Sequence, residues 1–325
     1  MDEVLVGTLL ASTLRVATPL ILCALASTLS ERAGVIDLGL EGKMLATAFA
    51  AASVAALSGS LLLAIGAAIA VGVALSMLHG FACVSHRGDQ VVMGMAITMT
   101  AAGLTVVLGI AWFQQGGQTP PLPDAVRLDL WFTDLGLALR NVPWLGTIVG
   151  IGLLGHSVLV YGALALVAVI WWLLYRTRLG LRLRATGENP AMVDAAGVSV
   201  FGLRYLALAG NGVLCALAGC YLVLAQNPQF IPHMTAGRGY MALAAMIFGK
   251  WHPVGALLAC LLFGFLDAVA IRLQGAILPA VLGGGAVPVQ AIQALPYVLT
   301  VVLLAGFIGH AYAPRALGVA YVKER

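Results

Sequence analysis

Apolar runs of about 18 or more residues, long enough to carry a helix across a ~30 Å hydrocarbon core, recur along this chain with only short polar gaps between them. Water is absent from that core, so every backbone N–H and C=O must be bonded within the protein, and runs of this length do so as helices packed side by side. The pattern specifies an all-α, polytopic transmembrane bundle. Composition agrees, with 61% hydrophobic residues, 9% charged residues and a mean hydropathy of +1.01, against about 25% charged in a soluble domain. The first run, Val4 to Leu29, is too long for a secretory signal core, follows two acids and carries Arg15, so it reads as a retained first helix. The net charge of +4 is small, comes from loops and gives no reason to expect nucleic acid as a partner. Five cysteines (Cys23, Cys83, Cys215, Cys220, Cys260) lie inside apolar runs without a CxxC pair, so they read as small core residues and no metal site is expected.

Basic residues set the sides. Arg176, Arg178, Arg182, Arg184 and Arg204 cluster between two apolar runs, and Arg315, Lys323 and Arg325 mark the C-terminal tail, so the positive-inside rule makes both cytoplasmic. Alternating outward from these anchors predicts nine membrane segments, at about 4–29, 38–57, 61–83, 91–112, 157–175, 203–225, 239–250, 254–272 and 291–309. The N-terminus is then outside and the C-terminus cytoplasmic. The chain reads as one transmembrane domain over 1–325, with an external segment at about 113–156 and a cytoplasmic loop at about 176–202. Gln114–Asp124 is rich in Pro and Gly, and Trp131 and Trp144 suit an interface, so an ordered external cap with a short helix or two is expected. The segment at 239–250 is short for a span and ends in Gly249–Pro253, which predicts a half-helix or re-entrant element.

Glu31–Met44 sets acids and bases among glycines between two apolar runs. Charge and glycine-broken backbone persist at membrane depth where they face a cavity or a partner, so the segment reads as part of a translocation pathway. Its candidate residues are Gly34, Asp37, Gly39 and Glu41. Asp37 reads as a cap for a helix starting near Leu38 or as an acceptor for a hydroxyl of the cargo, and it would share a face with Glu41 if both were helical. Glu31 and Arg32 read as an interfacial ion pair with the bundle or a partner. Arg15 must face protein or water, and Asp267 with Arg272 is expected to pair or to meet an external partner. His79, alone on an apolar helix, reads as a packing residue. Asn211 adds a neutral hydrogen-bonding group to the pathway, as do Gln226, Asn227 and Gln293, while Phe230 and Tyr240 flank a bend where a ring could stack on a base or serve as an interfacial anchor. Thr235–Phe263 repeats the plan of Glu31–Ala56, and paired broken helices point to a transport site.

In the cytoplasmic loop, Asn189 is placed to cap a helix that begins at Pro190 and ends by Gly197. A short amphipathic helix presenting Glu188 and Asp194 has the shape of an element that docks into a soluble partner, although an ordinary loop would share the composition. No GxxxxGK[ST] occurs, because Gly42-Lys43 and Gly249-Lys250 lack both the upstream glycine and the following Ser or Thr. The chain therefore has no Walker A loop of its own.

Glu31–Met44, Arg184–Val198, Thr235–Cys260 and Leu295–Glu324 together resemble the permease subunits of ABC importers, nearer to nucleoside and simple-sugar permeases within the ribose and branched-chain amino-acid group. The resemblance covers nearly the whole chain, with the motifs in order. It implies a non-enzymatic subunit of a bacterial or archaeal cytoplasmic (inner) membrane that binds no cofactor itself and couples to an ATPase holding the ATP. The coupling would run through Glu188, Asn189, Pro190, Asp194 and Gly197. It further implies a second permease in a heterodimer, the present chain being the shorter of the two, and an extracytoplasmic binding protein that delivers a nucleoside. A sugar such as ribose or galactose is the alternative cargo. An ion-coupled transporter using Asp37, Glu41 and Asp267 is the alternative from another class, and an intramembrane enzyme finds no HExxH or GxSxG to support it.

Overall fold

The computed structural model describes residues 2–128, 130–131, 145–273, 294, 298 and 312–323. Eleven α-helices follow in order: α1 (Asp2–Arg32), α2 (Leu40–Ser58), α3 (Leu61–Gly80), α4 (Gln90–Phe113), α5 (Leu145–Gly152), α6 (Val158–Arg176), α7 (Arg178–Glu188), α8 (Pro190–Ala195), α9 (Val200–Tyr221), α10 (Arg238–Phe248) and α11 (Pro253–Leu273). Among the described residues, seven helical segments are long and apolar enough to cross a membrane, and Arg238–Phe248 is a shorter apolar helix. At about 1.5 Å per residue its 11 residues cover only about half the hydrocarbon thickness. The helix expected at about 291–309 lies outside the described residues.

α1 is the axis of the bundle. It is buried along most of its length and packs against α9, α10 and α11, its Leu20 and Leu22 forming the larger core with Leu214 of α9 and Phe263 of α11. Pro19 sits inside α1, where it cannot donate to the carbonyl four residues earlier. That carbonyl belongs to Arg15, and the Tyr221 hydroxyl of α9 donates to it at 3.1 Å, so the gap in one helix is filled from another. A second core joins α2 and α3 to the C-terminal end of α9 and the turn after it through Ala48, Ala52, Ala68, Cys220 and Val223.

Small residues bring the helices close. A Cβ on Gly72 of α3 would stand 2.4 Å from the Gly212 carbonyl of α9, and a Cβ on Gly212 would stand 2.5 Å from the Gly72 carbonyl. Backbone meets backbone there, as it does wherever glycine lines a membrane helix crossing. α3 and α4 are the least buried of the spans and turn Leu62, Met99 and Val107 outward, as helices facing lipid or another subunit do.

Several boundaries differ from the sequence expectation. Residues 178–188, read as basic loop, form α7: Thr177 accepts from the Gly180 N–H at 3.1 Å, and Leu179 and Leu183, one turn apart, face the bundle while Arg178 and Arg182 stay exposed and Arg184 folds back to donate to the Leu174 carbonyl at 3.0 Å. α3 and α9 each end in a single π-turn, Phe81–Ser85 and Leu222–Gln226. The segment between α4 and α6 holds a 3-10 turn at Asp124–Val126, helix α5, and a two-residue antiparallel pairing of Leu130–Trp131 (β1) with His156–Ser157 (β2). Trp144 and residues 132–143 lie outside the described residues.

Candidate translocation and coupling site

The break between α1 and α2 is a buried polar knot. α2 begins at Leu40, so Asp37 precedes the helix and does not share a face with Glu41. Its Oδ1 accepts from the Gly39 N–H at 2.9 Å, and its Oδ2 forms an ion pair with Lys43 Nζ, both side chains being inaccessible to solvent. Lys43 also donates to Asn211 Oδ1 of α9 at 3.2 Å, which accepts from Ser76 Oγ of α3 at 3.3 Å. Asn211 Nδ2 donates to the Ala26 carbonyl at 3.2 Å and to Ser30 Oγ at 3.3 Å. His79 Nδ1 stands 3.9 Å from Asp37, and its Nε2–H donates to the Ile36 carbonyl at 3.0 Å. One carboxylate thereby ties α1, α2, α3 and α9 together. Taking such a pair out of water is costly, and the hydrogen bonds on every side offset that cost.

Glu41 does something different. Its two carboxylate oxygens accept from the Gly237 N–H at 2.8 Å and the Gly239 N–H at 2.6 Å, which are the free donors at the start of half-helix α10. A carboxylate at a helix N-terminus is favoured by the unpaired N–H groups and by the helix dipole. The two broken segments that look alike in sequence are therefore joined by a direct bond. The end of α1 and the turn after α10 are joined too. Glu31 accepts from Ser27 Oγ at 3.1 Å and Trp251 Nε1 at 2.6 Å, while Arg32 Nε donates to the Trp251 carbonyl at 2.8 Å. These are hydrogen bonds to the turn after α10 rather than the expected ion pair.

In the segment after α7, Asn189 Oδ1 accepts from the Met192 N–H at 3.2 Å, Pro190 occupies the first helical position, and Gly197 leaves α8 at φ +77. Met192 is 69% exposed, so α8 presents an apolar tip to the outside of the molecule. The two acids expected on this helix are engaged by the C-terminal tail. Asp194 pairs with Lys323 at 3.7 Å, and Glu188, on α7 rather than α8, receives the Arg315 N–H at 3.5 Å. A cavity of about 460 Å³ lies between α8 and residues 319–322.

At the opposite end of the bundle a polar cavity of about 790 Å³ opens between α1, α6, α9 and the external segment, lined by Arg15, Asp124, His156, Ser157, Gln226 and Asn227 among others. Gln226 Oε1 and Ser157 Oγ are buried there without a hydrogen-bond partner among the described residues. The π-turn Leu222–Gln226 places Gln226 on the cavity wall. Burial, with Arg15 adding to it, pushes the His156 pKa down from its ordinary value against the opposing bond to the Gly152 carbonyl, so the ring is neutral at pH 7.

Of the pathway residues expected from sequence, Gly34, Asp37, Gly39, Glu41, Asn211 and Phe230 are buried, and Tyr240 is 38% exposed. The Phe230 ring packs edge-on against Phe49 at 5.2 Å, so it is occupied by the protein itself. Arg272 does not pair with Asp267; it donates to Thr8 Oγ1 at 2.6 Å and to the Leu5 carbonyl at 3.3 Å. Sequence reasoning passed over Lys43 and Gln90, which accepts from the Ile36 N–H at 2.7 Å. The opposite charges of Asp37 and Lys43 across a helix start were the available signal.

Residues 9–306 match the family described as branched-chain amino acid transport system / permease component. The chain is 36% identical to the guanosine ABC transporter permease protein of Bacillus subtilis over 332 aligned positions, covering 100% of both chains. It is 36% identical to the nucleoside ABC transporter permease protein of Lactococcus lactis, covering 98% of this chain and 97% of the relative. The ribose import permease protein of Escherichia coli is 28% identical over 71% of this chain and 68% of its own length.

Proposed function

The chain belongs to this family of ABC-transporter permeases, and on that premise we propose that it is the nucleoside-conducting subunit of its importer, without catalysis of its own. The single observation that carries the cargo assignment is the end-to-end alignment with relatives named for guanosine and nucleoside transport. The outer cavity supports it chemically. Its wall offers the amides of Gln226 and Asn227, the hydroxyls of Ser12, Ser157 and Tyr221, the His156 imidazole, and charges of both signs in Arg15 and the paired Arg127 and Asp124, groups suited to a solute rich in donors and acceptors that must be released again. ATP is bound by the partner ATPase, α8 docks to that ATPase, and closure of the ATPase pair displaces the bonded breaks at Gly34–Gly42 and Thr235–Lys250. A second permease chain completes the path. The N-terminus lies outside and the C-terminus in the cytoplasm.

The test is to purify the chain with its co-expressed neighbouring subunits and measure ATPase activity in liposomes with the cognate binding protein. Adenosine, guanosine, uridine, ribose and galactose are offered in turn. Stimulation by nucleosides alone is the expected outcome. Stimulation by sugars alone, for which the likeness to the ribose permease is the supporting observation, discards the cargo and keeps the importer. A chain that retains no ATPase and accumulates cargo under an ion gradient discards the mechanism.

A further inference from the structure

Residues 314–323 touch every part of the cytoplasmic apparatus at once. On one side the Ala316 N–H donates to the Gly187 carbonyl at 2.8 Å, the Arg315 N–H to Glu188 at 3.5 Å, and Lys323 pairs with Asp194 at 3.7 Å. On the other side the Gly318 N–H donates to the Gly34 carbonyl at 3.2 Å, inside the α1–α2 break. Gly34 has φ +85, and a Cβ there would stand 3.1 Å from both the Ala316 carbonyl and Arg204 Nη2. The tail fits only because that position is glycine. Its far part is anchored as well, since Tyr321 is buried with its ring 5.9 Å from that of Phe201 in α9.

Arg204 lies beneath this joint. It is 1% exposed, and its Nη1 donates to the Val319 carbonyl at 3.1 Å. Its Nε and Nη2 are buried without a hydrogen-bond partner among the described residues. Guanidinium donors left unfilled in a dry site destabilise the arrangement that leaves them so. The Gly34 position lies between Nη2 and the tail, since a Cβ built there would stand 3.1 Å from Nη2 and 3.1 Å from the Ala316 carbonyl, so a shift of the tail changes what the unfilled donors face. The joint therefore has the makings of a two-position element, and packed elements with two discrete arrangements are what carry coupling between distant sites.

Resting on the importer reading above, we propose that residues 314–323 form a strap that moves as one body with α8 and carries its displacement to the Gly34 break, with Arg204 as the positioning residue that registers the strap in each state. The strap gives the docking helix a second route to the pathway beside the direct contact in which Gly187 packs on the Arg32 carbonyl.

Two measurements on the complete transporter in liposomes test this. Spin labels at Ala196→Cys and Val322→Cys, both exposed positions in a chain whose five native cysteines are buried, report the separation of α8 and the strap. The same distance distribution in nucleotide-free and ATP-trapped complexes is expected. A distribution that shifts between the two overturns the proposal, because the strap would then part from the helix. Separately, Arg204→Gln is expected to assemble with the ATPase and hydrolyse ATP while cargo taken up per ATP falls about tenfold, the scale of a lost coupling term, with Arg204→Lys in between. An unchanged uptake-to-ATP ratio in Arg204→Gln overturns the strap alone. Absence of cargo-stimulated ATPase in the unmutated complex overturns the importer reading itself.

Discussion

Tyr221 and Lys43 show how single side chains hold this bundle. The Tyr221 hydroxyl closes the carbonyl that Pro19 leaves open in α1, so Tyr221→Phe should cost about 1–3 kcal/mol, the penalty of a buried acceptor left unmet. Thermal unfolding in detergent measures it, and Pro19→Ala should remove most of the difference by restoring the helical donor. Lys43→Met should cost about 3–5 kcal/mol because it strands Asp37 as a buried, unpaired carboxylate. The double variant Lys43→Met with Asp37→Asn should recover much of that loss. A double variant as unstable as the single one would mean that the charge is not the issue. Both residues were visible in the sequence, but only Asp37 drew notice, because Lys43 acquires its meaning from a partner six residues away across a helix boundary and from Asn211 on another helix.

At the scale of elements, the α3–α9 crossing and the docking helix are each governed by a short-range rule. Gly72→Leu should abolish folded protein, since even a Cβ at Gly72 meets the Gly212 carbonyl. Gly103→Leu, where a Cβ meets nothing within 4 Å, should leave the yield and melting temperature unchanged. Equal losses from both would show that helix propensity or insertion, not the crossing, sets the requirement. At α8, Asn189→Ala removes the bond to the Met192 N–H and should lower ATP-linked uptake with the membrane bundle intact, for a loss of about 1 kcal/mol in helix stability. Cap, first-turn proline and terminal glycine were all legible in sequence, being local signals. The helicity of α7 was not, because its pattern is dominated by arginines and its stability comes from the two leucines that reach the bundle.

For the whole molecule, ends that the charge rule assigns to the cytoplasm are bonded to one another: Arg32 to Trp251, Gly34 to the tail, and Arg204 to the tail at Val319. The outer cavity gathers the other ends. The orientation of that body is testable because the native cysteines are buried and give no background. A membrane-impermeant maleimide should label Ser58→Cys on intact cells and Glu188→Cys only after permeabilisation. The reverse pattern would invert the topology and with it the site of ATPase docking.

The succession of apolar helices, the Asn189 cap and the half-length of α10 follow from sequence alone, because each depends on hydrophobic length or turn chemistry read along the chain. What only the tertiary structure decided is which polar groups meet. Asp37 pairs with Lys43, Glu41 joins the two broken segments, and Glu188 and Asp194 are held by the tail. Those partners lie up to about 200 positions apart, as in the bond from Gly239 to Glu41, and a buried charge announces only that it must have a partner. Which partner it takes is settled by how the helices cross, and that in turn rests on small residues whose spacing looks alike in every apolar run.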